Sequence, residues 1–76
     1  MQTSLVLTLL GPDRAGLVNS IAEAVKAHQG NWQESRMVHL AGQFAGLVHI
    51  SLPQTQVIDL KQALQALQNQ DLQILV

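Results

Sequence analysis

Leu10-Gly11-Pro12-Asp13-Arg14-Ala15-Gly16-Leu17-Val18 separates two segments of different periodicity. Before it, Thr3 to Leu10 is rich in leucine and β-branched residues and apolar on both faces, which predicts a central strand covered on both sides. After it, Val18, Ile21 and Val25 recur at helical spacing, flanked by Leu17, Ala22 and Ala24. Arg14, Asn19, Glu23 and Lys26 fall elsewhere around that helix. The strand therefore stops at Gly11, Pro12 fixes the turn, and a helix opens at about Asp13 or Arg14. It runs to Gln29, with Gly30 as its C-terminal stop. Asp13 is placed to cap it, and Gly16 falls one turn inside. The first turn of a helix carries unpaired N–H groups and a partial positive charge, so it can receive an anion such as a carboxylate. Gly16 has no side chain to keep a ligand or a neighbouring subunit away.

Further along, Asn31 to Leu40 and Gln43 to Leu52 flank Ala41-Gly42, the pattern of a hairpin. The second arm alternates: Phe44, Gly46, Val48, Ile50 and Leu52 on one face, Ala45, Leu47, His49 and Ser51 on the other. The first arm alternates poorly, which places a bulge near Glu34–Met37. Pro53 ends the hairpin. Thr55 is positioned to cap a second helix with Val57, Leu60, Leu64 and Leu67 on its apolar face and glutamines over much of the rest. Asp71 leads into a last strand, Leu72 to Val76. The order β-α-β-β-α-β predicts a single α+β domain over residues 1–76, a ferredoxin-like sandwich. Its two interleaved crossovers build a four-stranded antiparallel sheet with both helices on one face. The halves Thr3–Leu40 and Gln43–Val76 repeat the element order without visible identity. No linker or low-complexity stretch appears, and the chain stops within its last strand, as an excised domain or a minimal module would.

The 76 residues are 47% hydrophobic and 12% charged, against about 25% charged in ordinary domains. A core this small gives no more than about 3–5 kcal/mol, and with no cysteine neither a disulfide nor a thiolate metal site adds to it. So much apolar surface exceeds what a small interior can hide. This predicts a second buried surface, formed by self-association or by a partner domain, on the uncovered sheet face or the sheet edge. Four cations (Arg14, Lys26, Arg36, Lys61) against five carboxylates (Asp13, Glu23, Glu34, Asp59, Asp71) make no basic patch, which argues against direct nucleic-acid binding. Leu5 to Leu10 is too short to span a membrane and no basic residue precedes it, so a cytoplasmic location is expected.

Little in the chain suggests catalysis. Gly11 and Gly16 have GxxxxG spacing, but Leu17-Val18 follow where a phosphate loop needs Lys and Ser or Thr, and GxGxxG is absent. A two-residue turn at Ala41-Gly42 sets His39 opposite Phe44 and His49 opposite Glu34, on different faces, while His28 ends the first helix. The three histidines thus make no metal site, and none has a nucleophile or paired carboxylate close in sequence. An acylphosphatase-like hydrolase would need an anion-gripping arginine beside an asparagine, and Arg14 and Asn31 fall at opposite ends of the first helix. Two readings of Asp13, Arg14, Gly16 and Asn31 remain open. In one they are only a cap, a tight entry and a strand start. In the other, helix N–H groups hold a carboxylate and side-chain oxygens an ammonium, the two groups of a free amino acid, in a site closed by a second subunit or domain.

Gly11-Pro12-Asp13-Arg14-Ala15-Gly16-Leu17-Val18 followed by Gly30-Asn31-Trp32 resembles the signature of ACT domains, small-molecule regulatory modules of βαββαβ topology. Ser35-Arg36-Met37 and Phe44-Ala45-Gly46-Leu47-Val48 resemble the branch found in glycine cleavage system transcriptional repressors, in the N-terminal unit of a tandem pair. The resemblance spans essentially the whole chain. It implies a non-enzymatic amino-acid sensor without cofactor or metal, with glycine or serine among the ligands to expect. Its site, Asp13, Arg14, Ala15, Gly16, Leu17 and Asn31, would lie at an interface with a second copy or a second ACT domain. It further implies control of transcription through a partner regulator protein. Two positions depart from the pattern: Ala15 stands where proline is common, and Trp32 where a smaller aliphatic residue is usual. A ligand-independent dimerisation or docking module of the same fold is the alternative.

Overall fold

The computed structural model describes residues 1–12, 16–68 and 72–75. Strand β1 (Gln2–Pro12) leads through helix α1 (Leu17–Ala27) to β2 (Asn31–Leu40) and β3 (Gln43–Pro53). A 3-10 turn (Gln54–Gln56), helix α2 (Val57–Leu67) and strand β4 (Gln73–Leu75) complete the chain. The sheet runs β2-β3-β1-β4, every neighbouring pair antiparallel, with both helices on one face: the ferredoxin-like βαββαβ sandwich. Val76, the end of the predicted last strand, and Asp71, which leads into it, lie outside the described residues.

Period-two alternation sets the layers. Leu7 and Leu9 on β1, Phe44, Val48, Ile50 and Leu52 on β3, and Ile74 on β4 point inward. They meet Ile21 and Val25 of α1 and Leu60 and Leu64 of α2 in one apolar cluster. The inner stripe of α1 is Leu17, Ile21, Ala24 and Val25; Val18, expected to share it, is 37% exposed on the flank. Among the described residues none forms a layer over the other sheet face. Val6, Leu10, Val38, Leu47 and Leu75 project there and remain exposed, so β1 is central in the sheet but not covered on both sides. Apolar residues on both faces of a strand demand two covers, and the two helices supply one.

The hairpin turns at Ala41 (φ 54°) and Gly42 (φ 76°), the left-handed pair of a type I′ turn, and sets His39 opposite Phe44 and Glu34 opposite His49. The β2 irregularity lies between Trp32 and Glu34, earlier than expected. Gln33 is the extra residue; its Nε2 donates to Ser51 Oγ at 2.9 Å.

Both helix starts differ from expectation. Helix α1 begins at Leu17, not at Asp13 or Arg14, because Gly16 has φ 93° and a helix cannot run through a left-handed residue. The N-cap is Gly16, which has no side chain to cap with. Helix α2 follows the 3-10 turn, so its N-cap is Gln56 rather than Thr55, again without a side-chain bond. At the other end α1 stops at Ala27, two residues before Gln29. Gly30 N–H donates to Val25 O (2.8 Å) and Gln29 N–H to Lys26 O (3.1 Å), a Schellman closure. The left-handed residue of that closure is Gln29 (φ 62°), not Gly30. His28 reinforces it: a carbonyl only accepts, so Nδ1–H donates to Ala24 O at 2.8 Å.

Candidate functional site

Of the six residues expected at the ligand site, Asp13, Arg14 and Ala15 lie outside the described residues. Gly16 and Leu17 open α1 as one end of the predicted site. Gly16 is exposed, and a Cβ built on it would meet nothing within 4 Å. Its carbonyl accepts from Ser20 N–H (2.9 Å) and Ser20 Oγ–H (3.0 Å), the first bonds of the helix. The N–H groups of a helix's first turn have no acceptor within the helix itself. Because the space around Gly16 is open, Gly16→Ala is expected to cost only backbone strain, about 1–2 kcal/mol. Urea denaturation checks this, and a larger loss would reveal a packing role.

Asn31 lies far from that point. It pairs with Ser51 at the start of β2, whereas Gly11 and Pro12 pair with Phe44 and Gln43 beside the hairpin turn. Phe44 and Ser51 are seven residues apart on β3, about 24 Å at strand rise. Helix α1 runs between the same two ends, its eleven residues spanning about 16 Å of the way. One chain does not bring Asn31 to Gly16.

Asn31 instead borders a groove of about 370 Å³ with Ala22, Val25, Lys26, Gly30 and Trp32, between the C-terminal half of α1 and the start of β2. Lys26 and Ala22 were not foreseen there. Their spacing of four on a helix puts them on one side, but nothing in sequence shows that β2 returns beneath them. Trp32 packs partly on the core and forms one wall.

The remaining polar groups on β2 and β3 do not gather into a reactive set. Arg36 Nη2 lies 2.6 Å from Glu34 Oε2, with both side chains mostly exposed, so the pair adds little stability. His39 stacks at a tilt on Phe44 with ring centroids 6.2 Å apart. Among the described residues no three of His, Asp and Glu come close enough to hold a metal ion. No helix among them is long and apolar enough to cross a membrane.

The chain is a βαββαβ sandwich with one sheet face uncovered by the described residues, an exposed glycine at the helix start and a largely apolar groove bordered by Lys26 and Asn31 at the far end. The chain belongs to the ACT domain family, whose members are regulatory, ligand-sensing domains; the family model matches residues 3–76. Among solved structures, a protein of unknown function from Galdieria sulphuraria is 32% identical, with TM-score 0.85 over 99% of this chain and 44% of its own. A proposed glycine cleavage system transcriptional repressor is 26% identical, with TM-score 0.89 over 99% of this chain and 44% of its own. A formyltetrahydrofolate deformylase from Burkholderia mallei shares the fold at 18% identity, TM-score 0.82, over 96% of this chain and 27% of its own. The chain thus spans less than half the length of each. No curated protein matches it.

Proposed function

We propose that this ACT domain is a cytoplasmic amino-acid sensor whose site is completed by a second copy or a second ACT domain. Backbone N–H groups of Arg14, Ala15, Gly16 and Leu17 hold the ligand carboxylate, and the side-chain oxygens of Asp13 on that side and of Asn31 on the other hold its ammonium. The reading rests chiefly on the placement of Gly16: an exposed, left-handed glycine at a helix start, with open space where a side chain would be. Topology supports the division between copies. Strand β2 is a sheet edge, and Asn31 and Gly16 lie at opposite ends of the sheet. Two β2 edges laid antiparallel about a twofold axis bring Asn31 of one copy to the end where the other copy's α1 begins.

Glycine and serine are the first ligands to test, after the repressor-like relative, and through the same likeness the domain acts on transcription by way of a regulator protein. A ligand that binds only the folded form stabilises it by about 2.7 kcal/mol at a hundredfold excess over Kd. In a panel of the twenty amino acids, at least one is expected to raise Tm, and Asn31→Ala to abolish the rise while leaving the unliganded Tm within a degree or two. A flat panel would sink the proposal. The exposed apolar sheet face favours the second reading, a ligand-independent association module; a flat panel beside clear self-association would point to it.

A further inference from the structure

The face of the sheet away from the helices is apolar at the hairpin end and polar at the other. Leu10, Val38, Ala45, Leu47 and Leu75 occupy the first region, with Arg36 at its β2 margin; Val6 lies in the next row beside His49 and Glu34, and Ser4 and Ser51 lie beyond it. We propose that this face docks against the same face of a second copy of the chain, about a twofold axis parallel to the strands. The proposal is independent of the ligand-site reading, which uses the β2 edge and the start of α1.

Register identifies the occupant. In the central strand pair Leu10 lies beside Ala45, and Thr8 beside Leu47, so each row holds one large and one small side chain in alternating positions. Leu10 and Leu47 are 46% and 51% exposed, and stand as knobs. A hollow of about 450 Å³ runs between them, lined by Thr8, Ala45, Val38 and Arg36. Rotation about an axis along the strands keeps each row at its own height and exchanges β3 with β1. It therefore sets Leu10 of one copy over Ala45 of the other, and Leu47 over Thr8, a self-complementary fit. The same rotation keeps the apolar rows over the apolar rows, with Arg36 at their margin set over Leu75, whereas an axis across the strands through mid-sheet would lay them on the polar end.

Area and charge agree. Three strands spaced about 4.8 Å apart over eight residues, with the three residues of β4 beside them, make a face on the order of 400 Å² in plan before side-chain relief, below the roughly 800 Å² a side of a standard interface and so suited to a reversible dimer. Two such sheets stack about 10 Å apart. Arg36 and Glu34, the charged residues on this face among those described, already pair with each other, leaving no net charge to recruit a partner of opposite sign.

Sedimentation velocity on the wild-type chain between about 5 and 500 µM is expected to show a reversible dimer. Leu47→Asp should weaken it at least tenfold, with the circular dichroism of the fold kept, since Leu47 points away from the core. Ala45→Leu fills the hollow and should also weaken the dimer; Leu10→Ala added to it exchanges knob and hole and should restore Kd to within a few fold. A chain that stays monomeric at the highest concentration overturns the proposal. So does a dimer indifferent to both Leu47→Asp and Ala45→Leu, or one in which concentration slows amide exchange only along β2, which assigns association to the edge. A flat amino-acid panel has no bearing on this result.

Discussion

Leu7→Ala is expected to lower stability by about 2–5 kcal/mol, enough to leave much of the chain unfolded at 25 °C. Leu7 sits on central strand β1 opposite Val48, with no exposed surface, in the same cluster as Ile21 of α1 and Leu60 and Leu64 of α2. Truncation removes the side chain from the middle of a single shared core, where helices and sheet cannot close the gap together. A domain of this size holds about 3–5 kcal/mol in total, so one cavity consumes most of it. Thr8→Ala, on the opposite face of the same strand, is the control and should change stability by no more than about 0.5 kcal/mol. Both belong in urea denaturation at low micromolar protein, where self-association adds least to the apparent stability. Similar midpoints for the two variants would show that the helices do not close over β1.

The layers of this fold are legible from β3, where alternation from Phe44 to Leu52 is unbroken and the structure follows it residue by residue. The hairpin is legible because Ala41-Gly42 separates two strand-like runs and Gly42 tolerates the positive φ that a type I′ turn requires. The bulge lies earlier than the alternation of β2 suggests because Ser35, a small polar residue, faces inward between Trp32 and Met37 and hides where the phase changes. The start of α1 is hidden for a related reason. Asp13 three residues before Gly16 has the composition of a cap, and periodicity cannot report that Gly16 is left-handed. Residue types at the candidate site could be named from the Gly11–Val18 motif and Asn31. Their separation followed from topology alone, and the groove around Asn31, built partly by Lys26 and Trp32, required the packing of α1 on β2.

Gly30→Ala is expected to lower stability by about 1–3 kcal/mol through overpacking, and to disturb Asn31 with it. A Cβ on Gly30 would stand 2.6 Å from Val25 Cγ1 and 2.8 Å from Val25 O, both well inside normal contact. Neither neighbour yields easily. Val25 is 2% exposed and wedged in the core, and its carbonyl accepts the Gly30 N–H itself at 2.8 Å. Relief must either break the closure that ends α1 or push β2 away from the helix, and Asn31 is the first residue of β2. Gln29→Gly provides a test of opposite sign. Gln29 holds the left-handed position (φ 62°), which glycine adopts without the Cβ penalty, so this change should be neutral or stabilising by up to about 1 kcal/mol. If both variants shift the urea midpoint in the same direction, Gly30 is not held by close approach to Val25. If they diverge, the glycine is a spacer that sets how near β2 lies to α1, and any ligand response lost in Gly30→Ala follows from the position of Asn31.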